Sequence, residues 1–332
     1  MALKIAYNVF FQRFPDTFER QVHMNKVKGN ILLLIAAVIW GTAFVSQKIG
    51  MNYIEPFTFG ASRFLLGTLV LVPVILIFDL LKKKKAEKFD EKGKTTHRIK
   101  DQLVGGLFCG VALFLGSSLQ QWGIVYTTAG KAAFVTTLYI TLVPLFGILM
   151  KKKTSSIVWA GTGLALVGLC LLTTQKGFSI QKGEALVLVG TVFWTAHILI
   201  IDYYVDKTDA LKLSFVQFLT AGMLSAVSAI LLESPKLEAI IDCSGSILYT
   251  AVFVVGIAYS LQIIGQKHTN PTVAAIIMSM ESVFAVISGS IFLDESMSER
   301  ELLGCFLMFI AVIITQLKPQ YKVKVLHKQE TT

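Results

Sequence analysis

The stretch GNILLLIAAVIW at 29–40 runs from Gly29 through apolar residues to Trp40, and GEALVLVGTVFW at 183–194 covers the same distance from Gly183 to Trp194. The second lies 154 residues after the first, and at that offset Arg63-Phe64 falls on Gln217-Phe218. Beyond a basic segment at 79–101 the offset becomes 142. There Ser118-Leu119-Gln120 meets Ser260-Leu261-Gln262, Gly123 meets Gly265, Thr127 meets Thr269, Ala132-Ala133 meets Ala274-Ala275, and Gly147 meets Gly289. That makes eight identities in the thirty positions from 118 to 147. A longer loop in the first copy accounts for the drop in offset. The chain reads as two copies of one unit.

The composition says what kind of unit. Of 332 residues, 54% are apolar and only 16% charged, with a mean hydropathy of +0.65. A soluble domain carries about 25% charged residues, so a soluble globular protein is excluded. The net charge of +10 would suggest a nucleic-acid partner in a soluble chain. Here Lys and Arg gather in short segments between long apolar runs, which is a membrane pattern, and no nucleic acid is expected. Cys109, Cys170, Cys243 and Cys305 lack CxxC spacing, so no disulfide framework, metal site or cofactor is expected.

A membrane-crossing helix needs about 20 mostly apolar residues. Ten segments qualify, near 31–49, 57–78, 103–122, 130–150, 156–173, 184–201, 212–232, 246–265, 271–292 and 302–317. Barrel strands would be about ten residues long and alternating. The expected fold is therefore an all-α polytopic membrane protein of ten transmembrane helices, arranged as two five-helix repeats. Five is odd, so the second copy sits inverted. The divisions are a cytoplasmic arm at 1–28, repeats at 29–174 and 183–318, and a cytoplasmic tail at 319–332. With both termini inside, 24 basic residues fall on the cytoplasmic side and six outside, in line with the positive-inside rule. Residues 1–23 do not read as a signal peptide, because Phe10, Arg13, Pro15 and Asp16 interrupt any apolar run. They read as an amphipathic arm or a mis-assigned start, with Met24 the alternative. The basic loop around Lys82–Lys85 reads as an orientation signal or an anionic-lipid contact.

A charge in the hydrocarbon core costs about 2.5–3.5 kcal/mol on insertion scales, so such residues face a cavity or a partner. Glu281 falls near the middle of span nine beside Met278, Met280 and Phe284. A carboxyl there could exchange a proton during transport, or act as glue to a neighbouring helix. Arg63, in span two toward the outer face, carries a planar fork suited to carboxylate or phosphate; the alternative is a structural pair or snorkelling. Its mate Gln217 is a neutral hydrogen-bonding group at the mirrored depth, and the two read as paired gates. Trp40 and Trp194 sit mid-span, away from interfacial belts, which fits a cavity wall or helix packing. His197 shares a helical face with Trp194 and is read as a proton-coupling group or a packed one. Gln120 pairs with Gln262, and Tyr139 with Glu281, across the repeat.

The candidate substrate-binding residues are thus Trp40, Arg63, Gln120, Tyr139, Trp194, Gln217, Tyr259 and Gln262. Glu281 and His197 are the coupling candidates. Thr42, Ser117, Ser118 and Ser279 are weaker lining candidates. Gly106 and Gly110 read as a close helix contact. No catalytic or metal-ligating set is expected.

These residues resemble a known family, the EamA branch of the drug/metabolite transporter superfamily, over 27–318. The resemblance rests on Trp40-Gly41 in span one and Arg63-Phe64-Leu65-Leu66 in span two. It continues through Thr127 and Lys131-Ala132-Ala133-Phe134 at the start of span four, Glu281-Ser282-Val283-Phe284 in span nine, and Asp294-Glu295 after it. Ser282 stands where such proteins often have Pro, so no kink in span nine is carried over. Lys151–Lys153 stand where they often have an acidic residue, so no shared gating contact is carried over there. The resemblance implies ten helices, alternating access, export or import of small metabolites, and the plasma membrane of a prokaryotic host.

The expected function is a secondary transporter of small polar metabolites, amino acids or related compounds among them, working by alternating access between inverted repeats. Its partners would be a small-molecule substrate, the lipid bilayer and a proton as candidate coupling ion; the sequence assigns no oligomeric state. No GxxxxGK[ST] pattern is present, so ATP would not drive it. The alternatives are an uncoupled facilitator or exchanger, an intramembrane enzyme, or a receptor. An enzyme would need a catalytic set, and the chain has neither HExxH nor GxSxG. A receptor would carry a sizeable extramembrane domain.

Overall fold

Long apolar runs that lack water to pair their amides close their hydrogen bonds internally and become helices. The computed structural model describes residues 15–89, 99–149, 154–173, 182–293 and 298–316. Every regular element among the described residues is helical. In chain order they are α1 (Pro15–Gly50), α2 (Pro56–Phe89), α3 (Ile99–Tyr126), α4 (Ala129–Thr137), α5 (Tyr139–Leu149), α6 (Ser156–Thr173), α7 (Lys182–Tyr204) and α8 (Ala210–Leu232). Then come α9 (Leu237–Asp242), α10 (Ser244–Tyr249), a π-helical segment at Thr250–Ala258, α11 (Tyr259–Gln266), α12 (Pro271–Met278), α13 (Glu281–Phe292) and α14 (Glu299–Gln316). The start of the arm, residues 90–98 of the basic loop, Lys151–Lys153, Asp294-Glu295 and the tail lie outside the described residues. From Pro15 the arm is helical and continues unbroken into the first span.

Eight segments are long and apolar enough to cross a bilayer: Lys26–Gly50, Pro56–Leu80, Ile99–Tyr126, Ala129–Ile148, Lys182–Tyr204, Ala210–Leu232, Ser244–Gln266 and Pro271–Phe292. The sequence reading counted two more. Their apolar portions, Ser156–Gly168 and Leu302–Ala311, are shorter, and the helices that hold them, α6 and α14, pack along each other. The outward faces are apolar, with Leu69, Leu76, Ile230 and Leu231 between 59% and 75% exposed, as suits contact with lipid.

Two spans are interrupted. Ala129–Ile148 breaks at Leu138, between α4 and α5, and Pro271–Phe292 at Ser279-Met280, between α12 and α13. The turn tightens at each break. Leu138 N donates to Val135 O and Met280 N to Ile277 O, three residues back instead of four. Hydroxyls assist by bonding backward to carbonyls: Thr137 to Phe134 O at 2.8 Å, Ser279 to Ile276 O at 2.7 Å and Ser282 to Ser279 O at 2.8 Å. The Pro271–Phe292 span thus breaks although Ser282 stands in place of the usual proline and no kink there was expected.

The packing crosses the two halves. α3 lies along α7 and α8, α2 along α8, and α1 along α11, α13 and the π-helical segment. Glycines permit the closest approaches. A Cβ on Gly123 would meet Gly183 O at 2.7 Å, and one on Gly265 would meet Gly29 O at 2.9 Å. Gly106 and Gly110 do face another helix, α8, where added Cβ atoms would meet Val216 and Thr220 at 2.4 and 2.5 Å.

Polar ties join the helix ends. We call the face at which the first span begins the near face and the opposite one the far face. On the far face Glu233, just past α8, accepts from Phe57 N, Thr58 N and Thr58 Oγ1, each at 2.7 Å. It caps the amino end of α2, where free amides and the helix dipole favour a carboxylate. On the near face Lys212 pairs with Asp79 at 2.8 Å, both side chains more than two-fifths exposed.

Candidate functional site

The two interrupted spans bring together the first residues of their second halves. Tyr139 opens α5 and Glu281 opens α13. The Tyr139 hydroxyl donates to Glu281 Oε1 at 3.0 Å, with both residues buried. Beside them lies a small cavity of about 40 Å3. Its wall comes from Trp40, Phe44 and Gln47 of α1, Arg63 of α2, Gln120 of α3, Thr136 of α4 and Tyr139 of α5. From the second half come Trp194 and Ile198 of α7, Val254, Tyr259 and Gln262 before and within α11, Met278 of α12, and Glu281.

Arg63 is 3% exposed. Its Nη1 donates to Gln47 Oε1 at 2.8 Å, and its guanidinium carbon lies 4.7 Å from the Phe64 ring centre and 5.4 Å from that of Phe59. One amide and two ring faces therefore hold the cation in place. Gln120 donates to Thr136 Oγ1 at 2.8 Å, and Thr136 donates in turn to Ala132 O. Tyr259 stands between the two tryptophans, 5.2 Å from Trp40 and 6.4 Å from Trp194, nearly parallel to the latter.

Several lining atoms are buried without a partner among the described residues. They are the donors Trp40 Nε1, Trp194 Nε1 and Arg63 Nε, and the acceptor Gln262 Oε1. Leaving such an atom unpaired costs about 1–3 kcal/mol. A solute that answers them recovers that free energy, so the wall is suited to a small polar molecule carrying acceptors and at least one donor. No group of three or more His, Cys, Asp or Glu among the described residues is placed to hold a metal ion.

Eight of the ten candidate residues line this cavity: Trp40, Arg63, Gln120, Tyr139, Trp194, Tyr259, Gln262 and Glu281. Gln217 and His197 do not. They hydrogen-bond to each other at 2.9 Å, with the imidazole edge-on to Tyr259 and Trp194. Thr42, Ser117, Ser118 and Ser279 are also absent from the wall. Sequence reasoning missed Phe44, Gln47, Thr136, Ile198, Val254 and Met278. A signal existed for three of them: Phe44 and Gln47 follow Trp40 at helical spacings of four and seven, and Ile198 follows Trp194 by four.

Fold and cavity define a polytopic helical membrane protein with an internal chamber of aromatic, apolar and polar side chains. The model of the EamA-like transporter family matches the chain over residues 27–174 and again over 181–317. The chain belongs to this family, within the drug/metabolite transporter superfamily, and is an integral membrane transporter. It is 31% identical to an uncharacterised transporter of Archaeoglobus fulgidus, over 89% of this chain and 88% of that one. It is 21% identical to the uncharacterised inner membrane transporter YedA of Escherichia coli K12, over 84% and 88%. A solved crystal structure, 17% identical, superposes with a TM-score of 0.68 over 86% of this chain and 96% of the other; that likeness bears on the fold alone.

Proposed function

We propose that the protein is a ten-helix secondary transporter of small zwitterionic or carboxylate-bearing metabolites, amino acids among them. It would work by alternating access between two inverted five-helix repeats, 29–174 and 183–318. The observation that carries this reading is the cavity wall with its unanswered polar atoms. Five pairs of repeat mates contribute both members to it: Trp40 with Trp194, Phe44 with Ile198, Gln120 with Gln262, Thr136 with Met278, and Tyr139 with Glu281. Inverted repeats put the binding site between the halves, where discontinuous helices meet, and the two interrupted spans end in the mates Tyr139 and Glu281. The glycine contacts support the same symmetry, since Gly29 and Gly183 are mates and so are Gly265 and Gly123. So does the family match, which occurs once in each half. The 18 residues of α6 and of α14 extend about 27 Å at 1.5 Å per residue. That nearly spans a core of about 30 Å, and the two complete the ten.

In this reading Arg63 takes the carboxylate of the solute. The tryptophan N–H groups and the Gln262 oxygen orient the rest, with Gln120, Tyr139 and Tyr259 shaping the chamber. Glu281 carries a proton across, with the Tyr139 hydroxyl as its partner. Gln217 and His197 support the chamber from behind Tyr259. Both termini lie in the cytoplasm, in keeping with the bias of basic residues. The inner-membrane location of the relative YedA supports the plasma membrane as the location. Uncoupled exchange is the alternative, and the Tyr139–Glu281 bond favours it to the extent that it makes Glu281 structural glue.

The test is a thermal-shift screen of the purified protein against the twenty amino acids, nucleosides, sugar phosphates and vitamins, followed by counterflow of the hits in proteoliposomes. Stabilisation by amino acids and their exchange across the bilayer are expected. Silence from every carboxylate-bearing compound refutes the substrate class.

A further inference from the structure

The span Ser244–Gln266 differs from its repeat mate in α3. Its middle, Thr250–Ala258, is π-helical, whereas α3 is α-helical from Ile99 to Tyr126. A π turn closes its hydrogen bonds five residues apart instead of four, and such turns within helices gather at functional sites.

The two sides of this segment keep different registers with α3. Downstream, Ser260-Leu261-Gln262 lies 142 residues after Ser118-Leu119-Gln120. Upstream the offset is 141: Leu248 falls on Leu107, Tyr249 on Phe108, Ala251 on Gly110 and Val252 on Val111. Burial follows the same two registers. Upstream, Leu107 and Leu248 are both exposed, and Gly110 and Ala251 both buried. Downstream, Ala112 and Val254 are both buried, as are Leu113 and Val255. Phe253 is the residue left over. It is exposed, stacks on Tyr249 with ring centres 5.2 Å apart, and lies outside the chamber wall. The outward residues repeat the difference. Leu103, Leu107 and Val111 recur every fourth position in α3, whereas Leu248 and Phe253 are five apart.

Both halves of the span are anchored. On the far side the Tyr249 hydroxyl shares a hydrogen bond with Thr42 Oγ1 at 2.5 Å. On the near side Tyr259 sits between Trp40 and Trp194, and Gln262 lines the chamber with its Oε1 unanswered. An α-helix turns about 100° per residue, so one extra residue sets the angle between Tyr249 and Tyr259. Gly67 of α2 makes room for the broad turn: a Cβ there would run into Val255 Cγ1 and lie 3.0 Å from Ala251 O. Its mate in α8 is Ala221, which packs in one cluster with Leu113 of the α-helical α3.

We propose that Phe253 is a one-residue insertion in the second copy, and that the π turn it makes is a positioning element, aiming Tyr259 and Gln262 into the chamber while Tyr249 stays bonded to α1. The inference rests on the inverted-repeat reading above. It adds that the copies build unlike walls: Tyr259 completes an aromatic stack, and its mate Ser117 is absent from the wall.

The experiment begins with single nitroxide side chains at positions 248 to 257 of the purified protein in lipid nanodiscs, read by their accessibility to oxygen from the lipid. Maxima at 248, 253 and 257 are expected; maxima at 248, 252 and 255, the α period, overturn the turn. Deletion of Phe253 is then compared with Phe253→Ala, which keeps the residue count. The deletion should alter the tryptophan band of the near-ultraviolet circular dichroism, to which the Trp40–Tyr259–Trp194 stack contributes. It should also raise by roughly tenfold or more the concentration of amino acid, tried one at a time from the twenty, that gives the same thermal shift. Phe253→Ala should match the unsubstituted protein in both. A folded deletion variant with either readout unchanged, or an alanine variant that loses both, overturns the positioning. If the deletion does not fold, Gly67→Ala takes its place: the added methyl should displace the turn and weaken both readouts, and a folded variant with both intact overturns the proposal. If scan and dichroism come out as expected while no amino acid stabilises the unsubstituted protein, the turn stands and the amino-acid reading falls. If amino acids act on the deletion variant undiminished, the transport reading stands and the positioning falls.

Discussion

Arg63 is a buried cation with one nitrogen bonded to Gln47 and another unanswered. A hydrogen bond to a charged group contributes about 1.5–3 kcal/mol. Arg63→Ala should thus weaken carboxylate-bearing solutes by roughly tenfold to a hundredfold and neutral ones far less, as read from the concentration dependence of the thermal shift. Equal losses for both would refute the clamp. Glu281→Gln keeps the shape and an acceptor for Tyr139 but gives up the exchangeable proton. Flux driven by an imposed pH gradient should vanish while solute counterflow persists, and an unchanged gradient response would remove Glu281 from coupling. At this scale the sequence told depth but not direction. Polar groups deep in apolar runs stood out, and Gln120 and Gln262 both face the chamber. Gln217 and His197 are equally deep, yet they turn toward each other, because the angle around a helix axis is set by packing that a single span does not encode. Gln47 and Thr136 were overlooked because glutamine and threonine near a span end look like interface residues.

The interrupted spans show why element boundaries were less legible than elements. Nothing in the residue types at Leu138 or Met280 announces a break. The short-range bonds and back-bonding hydroxyls that make it offset the lost ladder bonds only inside a packed bundle. Close packing also fixes the glycines. A Cβ on Gly41 would lie 2.4 Å from Phe284 Cβ and 2.7 Å from Glu281 O. Gly41→Ala should therefore cost about 1–3 kcal/mol of stability, seen as a lowered Tm in nanodiscs. The end ties of α2 and α8 should differ in weight. Glu233 satisfies three donors, so Glu233→Ala should cost about 1–2 kcal/mol. The exposed Asp79–Lys212 pair should cost less than about 1 kcal/mol when Asp79 becomes Ala. Chemical unfolding of the two variants side by side checks the order.

For the whole molecule, hydropathy, helix content and family were legible because a bilayer leaves an apolar chain few options. The helix count was harder to read: the apolar portions of α6 and α14 are short, and the two helices pack along each other. Reporter tags on the two ends of the chain should both score as cytoplasmic; opposite faces would undo the repeat. The cap at the far face has a consequence for how the chain is made. Phe57 N finds its acceptor 176 residues later in the sequence. As the ribosome works, the amino end of α2 is delivered to the bilayer long before Glu233 has been translated. Its amides stay wet until the second half arrives. A nascent chain cut short after α6 would never bury them, and quality-control proteases would meet an open bundle.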